Sequence, residues 1–196
     1  IGTINYFDPE LVVPNTDKSL RDGAIRPWAN TSSQYYQQAL EGIANRGLFY
    51  VPTLFITSRE RVDREKQPWT KERMEHAHPI HRQGVRKAHE MGVKIAVGTD
   101  GKAGDANIEL AELVDCGLSP MEAIVAGTRG SADALGILDR TGTLEPGKIA
   151  DLLIVNGEPD RDIRVLLDRH RIRLVMRDGI VGKALDEYIP KLPSVT

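Results

Sequence analysis

Val93-Lys94-Ile95-Ala96-Val97-Gly98-Thr99-Asp100 reads as a short buried strand, alternating and β-branched as far as Val97, that runs out through Gly98 and Thr99 to a carboxylate. In an α/β protein the carboxyl end of a strand is where a side chain leaves the packed core and enters a ligand-binding mouth. The expected class is α/β, and Asp100 is the first candidate for chemistry. Residue type alone leaves a rival reading about even with it, because a carboxylate after a strand often caps the next turn.

Working outward, a helix is expected on the amino-terminal side from about Thr70 to Met91, ended by Gly92. Met74, Ala77, His78, His81, Val85 and Ala88 share one stripe of its wheel, while Glu75, Gln83, Arg86 and Glu90 lie outside it. Pro79 interrupts the pattern and predicts a kink or restart, since proline costs ~3 kcal/mol in a helix interior. Before this helix come a charged loop or short helix over Ser58 to Pro68 and a strand over Phe49 to Leu54, placed near an edge or an end by Pro52. Earlier still, Thr31 or Ser32 caps a helix to about Arg46 with Tyr36, Leu40 and Ile43 on one face and Gly47 as its stop. Residues 1–30 are loop-rich, broken by Pro9, Pro14 and Pro27.

On the carboxyl-terminal side, Gly101 to Ala106 is a glycine-containing loop of the kind that can close over a site. Asn107 is expected to cap a helix through Cys116, stopped at Gly117. Ser119, Pro120 and Glu122 form a capping box that launches Met121, Ile124, Val125 and Thr128 along one face of a helix ending near Leu135-Gly136. Beyond Gly136 the period changes to two: a strand over Ala150 to Val155, stopped by Asn156-Gly157, then a hairpin of Ile172 to Met176 and Ile180-Val181 around Asp178-Gly179. The expected organisation is a leader over 1–47, an α/β unit over 48–138 and a small β-element over 139–196.

The formal net charge of -2 gives no whole-chain case for nucleic acid or an anionic membrane surface. No run approaches the ~20 apolar residues that cross a bilayer. A single cysteine, Cys116, rules out an internal disulfide and suits a reducing compartment, so a cytoplasmic location is expected. Ile1-Gly2-Thr3-Ile4-Asn5 has neither the basic nor the apolar region of a signal peptide, and without an initiator methionine it suggests a processed or partial chain.

From about Leu48 onward the chain resembles the carboxyl-terminal part of the amidohydrolase superfamily, in the branch holding imidazolonepropionase and the dipeptidases that cleave before proline or arginine. The resemblance is carried by Gly98-Thr99-Asp100, Asn107 to Leu110, Ser119-Pro120-Met121-Glu122-Ala123-Ile124 and, above all, Gly142-Thr143-Leu144-Glu145-Pro146-Gly147-Lys148-Ile149-Ala150-Asp151-Leu152, in that order. It implies a (β/α)8 TIM barrel with one or two divalent metals, zinc foremost, and a small β-sandwich. It makes Phe49 to Leu54 the seventh barrel strand and Val93 to Gly98 the eighth. Asp100 then matches the aspartate that binds the metal and takes a proton from the attacking water. Asn107 is a substrate contact on this reading, and the turn at Gly147-Lys148 is structural.

The implied activity is metal-dependent hydrolysis of C–N bonds in a small amide, cyclic amide or dipeptide. A complete barrel takes about 250 residues, and the His-X-His of a first strand, a mid-barrel lysine or carboxylate bridge and two later histidine ligands are not found. The chain is accordingly expected to be a partial barrel, inactive alone. The alternative is a non-catalytic fragment or assembly module that pairs through exposed strand edges, with itself or another chain.

Residues 7 to about 40 carry a second, local resemblance. Phe7-Asp8-Pro9-Glu10-Leu11-Val12-Val13-Pro14, Ser19 to Ile25, Pro27-Trp28-Ala29 and Ser33-Gln34-Tyr35-Tyr36 are similar to a segment of the damage-recognition ATPase subunit of the bacterial excision-repair excinuclease. No phosphate loop or zinc cysteines accompany it, so no ATPase or DNA-binding role follows. A hybrid chain joined between Gln38 and Gly47 is the expectation.

His76-Ala77-His78 imitates a metal motif, but on a helix the two imidazoles lie about 200° apart. His78 and His81, at i and i+3, are expected to pack partly buried and not to chelate. His89, His170 and the basic run Arg169 to Arg173 read as surface. Cys116 reads as a small helix-face residue without a partner that would make it a nucleophile.

Overall fold

The computed structural model describes residues 34–58, 68–100 and 105–184. The loop-rich leader, the cap at Thr31 or Ser32, most of the charged segment after Ser58 and most of the loop after Asp100 lie outside the described residues.

Helix α1 is Gln34–Asn45, and Tyr36 and Leu40 on its inner face are buried. Strand β1, Phe49–Tyr50, leads through Thr53 into a 3-10 turn, Leu54–Thr57. Helix α2, Pro68–Glu90, crosses back to β2, Lys94–Ile95, which pairs parallel with β1 in the register Phe49 with Lys94 and Tyr50 with Ile95. Helix α3 is Ala106–Asp115. A composite helix follows: α4 over Pro120–Val125, a π turn over Ala126–Gly130 and α5 over Ser131–Ala134. The remainder is an antiparallel sheet in the order β3 (Leu152–Val155), β4 (Ile172–Arg177), β5 (Ile180–Ala184), with 3-10 turns at Ile163–Leu167 and Arg169–Arg171 between β3 and β4.

All four expected glycine stops end their helices in the same way. Gly47, Gly92, Gly117 and Gly136 have φ of 62°, 73°, 110° and 69°. The amide one residue further on reaches back across the last turn, Leu48 to Ile43, Val93 to Ala88, Leu118 to Leu113 and Ile137 to Ala132, at 2.9–3.3 Å. Each is a Schellman termination with an apolar pair across it. The capping box also forms: Ser119 Oγ accepts from Glu122 N at 3.2 Å, and the Glu122 carboxylate accepts from Ser119 N at 2.7 Å.

The helix does not restart at Pro79 but runs through it, and the proline is exposed, so water can meet the carbonyl it leaves without a donor. Three expectations are corrected. The first strand stops at Tyr50 and not at Leu54, since the amides of Leu54 and Phe55 are taken by the Glu109 carboxylate. Asn107 does not cap α3; Asp105 holds the cap position and Asn107 lies in the first turn. The face shared by Met121 and Val125 is the outer one, at 51% and 43% exposure, while Ala123 of α4 and Ala126 of the π turn face the core. The π turn closes on the β2 backbone: a Cβ at Gly130 would lie 3.0 Å from the Ile95 carbonyl oxygen.

The stripe His78, His81, Val85 and Ala88 is buried as expected, with Gln83, Arg86 and Glu90 exposed. The main core gathers α1, both parallel strands, α2, the carboxyl end of α3 and α4 around Leu40, Leu54, Val85 and Leu113. A second cluster joins Ala111 of α3 to Ile163 and Leu166 of the first 3-10 turn in the β3–β4 connection. The hairpin turns on Asp178 and Gly179 at φ 53° and 72°, with Arg177 opposite Ile180. Lys148 donates to the Leu138 carbonyl at 2.7 Å and to Thr143 Oγ1 at 2.5 Å, which fits a structural turn at Gly147-Lys148.

Candidate functional site

The two parallel strands end side by side. Beyond β2, Ala96 N still donates to the Tyr50 carbonyl at 3.0 Å, and Val97 N donates to Ser131 Oγ at 3.1 Å. The strands approach so closely that a Cβ on Gly98 would sit 2.6 Å from Val51 Cγ1 and 3.8 Å from Thr53 Cγ2. At this end two non-glycine residues take the left-handed conformation, Thr53 at φ 53° and Asp100 at φ 47°. Backbone of that kind persists only where surrounding structure holds it, and it gathers at functional sites. Asp100 is exposed, so its carboxylate faces solvent at the mouth.

Behind the mouth lies a buried polar layer, supplied by α2 and α3 and aimed at the segment after β1. Glu109, fully buried, accepts from Leu54 N at 2.9 Å and from Phe55 N at 2.7 Å. Burial pushes its carboxyl up to about 7 against the pull of those two amides. His78 meets Thr57 Oγ1 through Nδ1 at 2.8 Å and Glu112 through Nε2 at 3.1 Å. Arg82 in turn joins Glu112 at 2.7 Å and Asp115 at 2.8 Å. His81 hydrogen-bonds the Pro52 backbone, which has only a carbonyl to offer; burial, then the neighbouring His78, lowers its imidazole to about 4.

His78 and His81 are thus packed as expected, and the structure adds what they hold. His76 lies where side chains are not described. Asn107 Nδ2 donates to the Leu166 carbonyl at 3.1 Å, so its amide faces the β3–β4 connection. Cys116 is fully buried and its thiol is pushed up to about 12 by burial, which suits a core residue and not a nucleophile. Sequence reading missed Glu109. Its signal was available: it shares the inner face of α3 with Leu113 and Cys116, at i+4 and i+7, so a carboxylate stands in an apolar stripe.

Among the described residues no three His, Cys, Asp or Glu side chains come together as a metal-binding group. Asp100 and the donors behind the mouth do not by themselves fit a divalent ion.

A model of the amidohydrolase family matches residues 29–181. The match begins ahead of α1 and takes in the junction expected between Gln38 and Gly47. An imidazolonepropionase from Deinococcus deserti is 37% identical over 100 residues, 48% of this chain and 25% of that protein. The crystal structure of a Xaa-Pro dipeptidase with methionine bound in its active site superposes with a TM-score of 0.66 at 30% identity, covering 84% of this chain and 42% of that one. Ochratoxinase from A. niger, at 24% identity and a TM-score of 0.64, shares the fold. A short segment is similar to a different protein, UvrABC system protein A of Brucella abortus, at 46% identity over 43 residues, 22% of this chain and 4% of that protein. The chain spans less than half the length of each of these relatives.

Proposed function

The chain belongs to the amidohydrolase family, and on that premise we propose that it is the carboxyl-terminal part of a hydrolase of C–N bonds in which Asp100 is the reacting carboxylate. The observation that carries this is the position of Asp100. It is an exposed carboxylate in left-handed backbone, at the carboxyl end of a strand in a parallel pair. A carboxylate there can take a proton from an attacking water and return it to the leaving nitrogen. The substrate class on this reading is a small amide, cyclic amide or dipeptide. The pair β1–β2 corresponds to the last two strands of a (β/α)8 barrel, and β3–β5 to part of a small β-sandwich. Metal ligation by Asp100 needs donors from beyond the described residues, as does an active site complete enough to turn over.

The test is hydrolysis of N-acyl amino acids and Xaa-Pro dipeptides by the full-length gene product. Asp100→Asn should lower kcat by at least about 100-fold, and an unchanged rate overturns the proposal.

A second reading, assembly through strand edges, is favoured by one observation. Parallel sheets are normally larger and covered, yet among the described residues β1 and β2 pair only with each other. Light scattering of the purified chain separates the two readings: a concentration-dependent dimer supports edge pairing and a monodisperse monomer removes it.

A further inference from the structure

We propose that Glu109 is a positioning residue, whose carboxylate clamps the segment after β1 and so sets the wall of the mouth that faces Asp100. This rests on the reading of the strand ends as the reaction site.

The clamp is built from unlike parts that converge on six residues. The Pro52 carbonyl is held by His81. Leu54 N and Phe55 N are held by the two oxygens of Glu109, and Thr57 Oγ1 by His78. Thr53, the residue in left-handed backbone, lies between the first and second of these attachments, and its methyl group, with the nearer Val51, packs beside Gly98, two residues before Asp100. Once ionised, which burial delays until about pH 7, a carboxylate is suited to the central place because it offers two acceptors and no donor, so successive amides can be taken by separate oxygens. An amide side chain in its place offers one acceptor and presents a donor to the second amide. Turning that N–H away leaves Leu54 or Phe55 with an unpaired buried group, which costs more than the bond it loses. The strained turn would then relax and carry Thr53 away from Gly98, while Asp100 itself stays untouched.

Two measurements on the full-length protein test this at about pH 8.5, where Glu109 is ionised, with Glu109→Gln and Glu109→Ala compared with the parent and with Asp100→Asn. Hydrogen exchange should speed up at Leu54 and Phe55 by about tenfold or more in Glu109→Gln, and further in Glu109→Ala. Exchange at Leu40 in α1 should be unchanged. Turnover of an Xaa-Pro dipeptide should lose about tenfold in kcat in Glu109→Gln with KM within about twofold, because a displaced wall misplaces bound substrate without removing a binding group. Thr57→Val, which cuts the far end of the same clamp and is better tolerated in folding, should lower kcat in the same sense. Unchanged exchange at Leu54 and Phe55 overturns the clamp. Faster exchange with unchanged kcat overturns its role in the reaction, and if Asp100→Asn is inactive at the same time the reading of the site stands. Unchanged kcat in every variant, Asp100→Asn included, overturns that reading instead.

Discussion

Glu109 and His81 sit in one buried layer and respond to pH in opposite senses. A carboxyl raised from 4.5 to about 7 on folding contributes stability below 4.5 that is lost as pH rises to about 7. An imidazole lowered from 6.5 to about 4 contributes stability above 6.5 that is lost as pH falls to about 4. Between 4.5 and 6.5 the two slopes oppose each other and the parent profile should be shallow. Glu109→Gln should unmask a stability that rises with pH from about 4 to 6.5, and His81→Gln one that falls from 4.5 to about 7. Urea melts at half-unit pH intervals measure both; three parallel profiles would refute the assignment. Asp100 was legible from its place after a strand, and the buried histidines from their stripe. What they attach to was not, since the partners of Glu109 are 54 and 55 residues away along the chain.

At the scale of elements, everything governed by neighbours in sequence could be read directly. The four glycine stops, the capping box and the Asp178-Gly179 hairpin each depend on a few adjacent residues, and each formed where expected. Ser119→Ala should cost about 1 kcal/mol by leaving Glu122 N without its cap, read as a lowered urea midpoint with an unchanged m-value. An unchanged midpoint would mean that water replaces the cap. Elements whose limits depend on distant chain were misread for that reason. Strand β1 is cut short by a carboxylate on α3, and the turn after α4 has a glycine at 130 where the β2 backbone comes within 3.0 Å of a Cβ position. Pro79 is tolerated because of the side it faces, which periodicity could have suggested and residue type alone could not.

Across the molecule, α3 joins the parallel pair to the three-stranded sheet. Its Asp115 pairs with Arg164 at 2.5 Å, Asn107 reaches the Leu166 carbonyl, and Ala111 packs with Ile163, which is 1% exposed. Contacts therefore run across the boundary expected near residue 138. Ile163→Ala should cost about 2–5 kcal/mol and lower the midpoint of one shared unfolding transition, followed by far-UV circular dichroism. Two transitions, of which only one moves, would show that the sheet unfolds on its own.

The burial of Cys116 has a practical side. It is the one sulfhydryl in the sequence, it has no exposed surface, and it lies in the main core between α3 and α4. Its rate of capture by a thiol reagent is therefore a built-in gauge of how often that core opens, readable on the unmodified protein and separate from the local breathing that amide exchange detects at the mouth.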